Sequence, residues 1–203
     1  MEQALEAIWA VRLDILQGVW LTVLISLSAI GLGTVLGTVV GVVLTYGAWP
    51  LRLPARLYAD FVRGTPVLVL ILAAFYILSV VGIQLTAVQA GIFALTLFCG
   101  SHVGEIVRGA LQAIPRGQPD AAKSIGLTFL QIFIYVLFPQ AIRQILPTWI
   151  TAATEIVKAS TLLSVIGVSE LLLTTQEIIS RNFMNFEFYV LAGAIYFLIN
   201  FSI

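Results

Sequence analysis

Charge is what this sequence has least of. Ten Lys and Arg residues balance ten Asp and Glu residues, 10% of a 203-residue chain against roughly 25% in an ordinary globular domain. The balance leaves no basic footprint for a nucleic acid. One cysteine cannot form an internal disulfide, so a disulfide scaffold is excluded and the redox compartment stays open. Seven prolines and 16 glycines are too few for a collagen-like or low-complexity disordered chain. What fills the sequence instead is apolar: 60% of residues, beyond the roughly 45–50% of a soluble domain. A chain this size builds one modest core and has to cover the rest with polar groups, which this composition cannot do. It is that of an integral membrane protein.

The charges are also unevenly placed. None occurs from Ile15 through Leu51 or from Gly64 through Ser101, and a bilayer core of about 30 Å needs about 20 helical residues to cross it. The first gap predicts one long helix, roughly 18–46, before the turn-rich Gly47-Ala48-Trp49-Pro50. The second predicts two, roughly 60–81 and 86–109, with Gly82-Ile83-Gln84-Leu85-Thr86 as the bend. Two more spans are expected over 144–168 and 186–203. The last has only 16 residues after Glu187, so the natural chain is expected to continue past Ile203. Period-two alternation is missing, which excludes a barrel. Thr22, Ser26 and Ser28 disturb the first span little, because hydroxyls can bond back to their own helix. The acidic start (Glu2, Glu6 and Asp14 against Arg12) does not fit a cleavable signal peptide.

Ser124–Ile142 is charge-free over 19 residues and is ambiguous by hydropathy. Positive residues favour the cytoplasmic side. Arg52, Arg56, Arg63, Arg108, Arg116, Lys123 and Arg143, seven of the ten basic residues, fall on one side only if Ser124–Ile142 does not cross. The reading is therefore a single domain over 1–203: all-α, about five transmembrane helices, N-terminus outside and C-terminus cytoplasmic, with an interfacial region over 112–142.

That region holds a segment suited to docking. Pro119 suits the first turn of a helix, Asp120 its positive end, and Lys123 follows one turn later. Ala121 and Ala122 are small enough for a close approach, and Gly126 suits the residue after a helix end. A connecting helix without a partner would read the same way. Here the sequence resembles a family. Asp120-Ala121-Ala122, Gly126 and Ile145-Leu146-Pro147 resemble the EAA loop of ABC-importer permeases, with Asp120 in place of the usual Glu. Gly18-Val19-Trp20-Leu21-Thr22, Phe61-Val62-Arg63-Gly64-Thr65-Pro66, Gly104-Glu105-Ile106-Val107-Arg108-Gly109, Phe138-Pro139-Gln140-Ala141 and Leu163-Ser164-Val165-Ile166-Gly167-Val168 resemble the polar-amino-acid branch. The resemblance runs over nearly the whole chain. It implies a type I importer fold in a bacterial inner membrane, and a translocation path shared with a second permease, identical or paralogous. It further implies a cytoplasmic ATPase dimer docked through Pro119, Asp120, Ala121, Ala122, Lys123 and Gly126, and an extracytoplasmic solute-binding protein. The sequence contains no G-x-x-x-x-G-K-[ST] phosphate loop, so ATP hydrolysis would belong to the partner, and no cofactor or metal is expected.

Candidate substrate-pathway residues are Arg63, Thr65, Glu105, Glu155 and Lys158. Glu155 and Lys158 are three apart and share a helix face. Charges inside a membrane are costly and mark a pathway or a mutual pair, and an amino acid presents one group of each sign. Arg63 can equally be a snorkelling anchor, and Glu105 with Arg108 a gate or an interfacial pair. His102 can titrate or simply pack. Gly33, Gly37 and Gly41 form a small-residue stripe for helix packing. Trp9, Trp49 and Tyr58 suit interface anchoring. Rival functions are a secondary transporter, for which no internal repeat is visible, a channel, an intramembrane protease, which would need a motif such as H-E-x-x-H, and a structural permease without substrate contacts.

Overall fold

The computed structural model describes residues 2–203, with side chains from Glu6 onward. The Glu2 side chain, used above in the reading of the N-terminus, lies outside the described residues. Nine helices occur among the described residues, with no strand. They are α1 (Glu2–Ala10), α2 (Arg12–Tyr46), α3 (Trp49–Gly64), α4 (Val67–Val80), α5 (Ala87–Ala113), α6 (Gly117–Ser124), α7 (Phe129–Ile166), α8 (Leu171–Asn182) and α9 (Asn185–Phe201). α2, α5 and α7 are each long and apolar enough to cross a membrane, and α3 with α4 passes the same test only as a bent pair.

Sequence accounts for the boundaries. Only Gly47 and Ala48 are non-helical between α2 and α3, because Pro50 lies at the helix start, where a missing N–H costs nothing. α3 stops at Thr65, which is extended (φ −105°, ψ 132°), as a residue before proline prefers. Residues 60–81, expected as one helix, are therefore divided at Thr65-Pro66: the first five belong to α3. The bend at 82–86 is present, with Gly82 at φ 90°. Thr86 and Gln89 then cap α5 reciprocally at 3.0 and 3.2 Å, each satisfying an N–H the helix leaves free.

α7 differs most from the expected layout. A boundary was expected near Gln144, yet helix runs unbroken from Phe129 to Ile166, with a π turn at Phe133–Leu137 and a 3₁₀ stretch at Ser160–Ile166. Pro147 sits inside it. Proline normally weakens a helix interior; helix nevertheless continues past Pro147 to Ile166, where Gly167 at φ 79° ends it.

The chain forms two compact units. One holds α1, α2 up to Gly31, Pro66–Thr96 and Ala153–Ile203; the other holds Leu32–Thr65 and Leu97–Ala152. In the first, Ile15, Leu171, Ile178, Ile179, Phe188 and Ala192 form the core. Thr22 bonds back to Gly18 O at 3.0 Å and accepts from Leu171 N at 3.1 Å, joining α2 to the start of α8. Ser26 Oγ is instead buried without a partner. In the second unit α2 crosses α5 through glycines. A Cβ on Gly37 would stand 2.6 Å from Val103 Cβ, and one on Gly41 2.6 Å from Gly104 O, so Gly37 and Gly41 of the stripe read from sequence lie in a packing surface. Val40, Leu44 and Ala59 continue that core.

Candidate functional site

The segment singled out for docking is a short helix, α6. Asp120 falls in its first turn and Lys123 in its last, the arrangement that complements the helix dipole. The two lie 3.8 Å apart with side chains 67% and 70% exposed, so the pair is solvated and adds little to stability. Pro119 is in the first turn, two residues after Gly117. Ala121 is exposed, whereas Ala122 is buried; one alanine is available to a partner and the other seats the helix. Gly126, at φ 83°, adopts the left-handed conformation that a Cβ resists. Its N–H bonds Lys123 O at 2.9 Å and Leu127 N bonds Ala122 O at 3.2 Å. These bonds close the end of α6 before Thr128 and Gln131 cap α7 at 2.8 Å.

A second constellation surrounds Glu105 on α5. Its side chain is 14% exposed and meets three arginines: Arg108 at 2.6 Å, Arg56 at 3.2 Å and Arg63 at 3.6 Å. Arg56 also bonds Asp60 at 2.9 Å, and Arg108 reaches Gln112 at 2.9 Å. Arg63 and Glu105, chosen separately from sequence, thus meet in one ionic cluster, and Arg63 is more than a lone anchor. Thr65 does not join it: its hydroxyl bonds back to Phe61 O at 2.7 Å. Arg56 and Asp60 were missed as members. Their spacing of four along α3 was a visible signal for a helix pair; the approach of Arg56 to Glu105, 49 positions on, was not.

Glu155 and Lys158 both lie on α7 and are exposed. They share a face, yet no ion pair joins them among the described residues; the ion pairs lie at the Glu105 cluster and on α6. His102 packs against Phe98, ring centroids 4.3 Å apart, with Nδ1 2.9 Å from Phe98 O, as a packing histidine does. No group of His, Cys, Asp and Glu among the described residues is arranged to hold a metal.

Glu170 escaped the sequence reading. It is fully buried, caps α8 by accepting from Leu172 N at 3.0 Å and Leu173 N at 2.9 Å, and accepts from Tyr196 Oη at 2.5 Å. Three donors account for a carboxylate that would otherwise be prohibitive to bury. The available signal was an acidic residue directly before an apolar run, an N-cap pattern. Two recesses were also not anticipated. One of about 220 Å³, between Thr34, Thr38, Val107, Phe138, Ile145 and Trp149, has no charged lining residue. The other, about 280 Å³, is bounded by Asp14, Gln17, Ser169, Thr174, Glu177 and Arg181.

Residues 29–203 match the family described as Binding-protein-dependent transport system inner membrane component. The chain is 34% identical over 185 residues to a probable amino-acid ABC transporter permease protein, YckA, of Bacillus subtilis, covering 91% of this chain and 82% of that one. It is 33% identical to the octopine transport system permease protein OccM of Rhizobium radiobacter, over 97% of this chain and 84% of the relative. Among solved structures, it superposes with a TM-score of 0.84 on a chain from the crystal structure of an amino acid ABC transporter with histidines, at 32% identity and covering 93% of this chain and 88% of that one.

Proposed function

The chain belongs to the family of binding-protein-dependent transport system inner membrane components, and on that premise we propose that it is the transmembrane subunit of an ATP-driven importer for a polar amino acid or a related compound such as an opine. The observation that carries this reading is the match to an amino-acid permease and an octopine permease over more than four-fifths of both chains. The all-helical, membrane-embedded architecture agrees with a type I importer permease.

In this reading α6 docks on a cytoplasmic ATPase. Its exposed Asp120, Ala121 and Lys123 supply the contact, and Pro119 and Gly126 bracket it. Closure of the ATPases on ATP displaces α6, and through the four-residue link 125–128 pulls on α7. A helix of 38 residues is about 57 Å long at 1.5 Å per residue, nearly twice a hydrocarbon core of about 30 Å. Part of α7 therefore extends beyond the bilayer, which supports an interfacial position for the segment before Arg143. With α2, the bent pair of α3 and α4, α5, the later part of α7 and α9 as five spans, the basic residues from Arg52 to Arg143 gather on the cytoplasmic side. Asp14, Glu177 and Arg181 then face outward, where a solute-binding protein would deliver substrate.

Glu155 and Lys158 are exposed on one face of this chain without pairing to each other, which suits a face completed by a second permease and a zwitterionic substrate. Ligand binding moves such a transporter only through different affinity for its two states. The test is uptake into proteoliposomes holding the assembled transporter. Labelled amino acids should accumulate only when ATP is supplied on the ATPase side and binding protein on the other. Accumulation driven by an ion gradient without ATP would overturn the proposal in favour of a secondary transporter.

A further inference from the structure

α3 has three distinct faces. Ala59 and Val62 are buried. Arg52, Arg56 and Arg63 fall along a second line. Leu53, Leu57 and Phe61, at successive fourth positions, form a third and are 44%, 62% and 69% exposed. Sixteen residues carrying four charges are too short and too polar to cross a bilayer, whereas a helix with an exposed apolar stripe beside a basic row suits its interface. Trp49, 73% exposed, stands at the helix start as an interfacial aromatic does.

Beside the basic row lies a recess of about 310 Å³, lined by Leu44, Trp49, Arg52, Leu53, Arg56 and Arg108. Three arginines (52, 56 and 108) line it; counted with Arg63, Asp60 and Glu105 of the adjoining network, the group carries two positive charges in excess. Glu105 is fully engaged by three of those arginines. The Arg52 guanidinium stands apart from that network: its partner is Gly47 O at 3.0 Å, which uses one of five donors. The recess thus combines an apolar floor, spare guanidinium donors and uncompensated positive charge, continuous with an apolar stripe.

We propose that this recess binds the phosphodiester headgroup of an anionic phospholipid, with the acyl chains lying along Leu53, Leu57 and Phe61. Arginine is suited to phosphate because its planar fork donates two parallel hydrogen bonds, and the apolar stripe is what a free phosphate cannot use. The inference rests on the chain being in a membrane and on no particular transported substrate.

The experiment is native mass spectrometry of the chain in the complex with which it is extracted, titrated with phosphatidylglycerol or with phosphatidylcholine of the same acyl chains. Wild type is expected to retain phosphatidylglycerol preferentially. Arg52→Gln, which leaves the Glu105 cluster untouched, should lower that retention about five-fold, the factor equivalent to the roughly 1 kcal/mol one basic residue contributes at an anionic surface. Arg143→Gln, an equal loss of an exposed charge on α7, should leave it unchanged. Leu57→Asn should weaken phosphatidylglycerol retention as well. Equal retention of the two lipids, an equal effect of Arg52→Gln and Arg143→Gln, or displacement of the lipid by millimolar inorganic phosphate would each overturn the proposal; the last would identify a free-anion site.

Discussion

Gly41 permits α2 and α5 to approach within the second unit, and the space is already filled. A Cβ there would meet Gly104 O at 2.6 Å and Val107 Cβ at the same distance. Overpacking a close-fitted contact typically costs about 1–3 kcal/mol, so Gly41→Leu should lower the thermal midpoint of the detergent-solubilised protein by an amount in that range. Gly64→Ala, which meets nothing within 4 Å, should stay within about 1 kcal/mol of wild type. Glu170 is the second residue whose loss is expected to be severe. Glu170→Ala removes the α8 cap, worth about 1 kcal/mol, and takes the carboxylate acceptor from the half-buried Tyr196 hydroxyl, which adds about 1 kcal/mol. Glu170→Gln keeps one accepting oxygen where the carboxylate has two, Oε1 for Leu173 N–H and Oε2 for Leu172 N–H and Tyr196, and should recover only part of the difference in the same melt. The glycine stripe was legible because a four-residue period of small side chains has one physical use in a membrane helix. Glu170 was not, because its partner Tyr196 lies 26 positions away and hydropathy treats any buried carboxylate as an interruption.

Elements were legible where local chemistry sets them. The charge-free runs placed α2 and α5, Gly82 marked the bend between α4 and α5, and Gly126 marked the end of α6. The division of 60–81 was written in the Thr65-Pro66 dipeptide, but a hydropathy reading runs over it because the following residues are uniformly apolar. The continuity of α7 was hidden for the opposite reason: Arg143 and Pro147 both suggest a boundary, and helix persists through each. α8 was overlooked because 12 residues with polar Thr174, Thr175 and Gln176 in the middle resemble a loop. The link between α6 and α7 carries its own prediction. Gly126 holds φ 83°, which proline cannot reach, so Gly126→Pro should leave membrane insertion intact and abolish ATP-driven uptake. Gly126→Asn, which tolerates a positive φ, should retain a measurable share of it. Uptake unchanged in both variants would separate α6 from energy coupling.

At the scale of the whole molecule, composition alone placed the chain in a membrane, and motif order placed it in its family. Which residues face substrate is a property of an assembly, and one chain exposes Glu155 and Lys158 without supplying what they face. If they line the pathway, Glu155→Gln and Lys158→Met should change the order of preference among competing amino acids in uptake assays at equal expression. A change in expression alone would assign them to assembly.

In the proposed function this chain borrows a partner's ATP hydrolysis through α6, and extraction in mild detergent, with each copurifying protein identified by mass, measures that dependence. An ATPase should be recovered with wild type and lost with Asp120→Arg, which reverses the charge at the exposed start of α6. Recovery of the chain with no ATPase, from membranes that take up substrate along an ion gradient, would rule the coupling out.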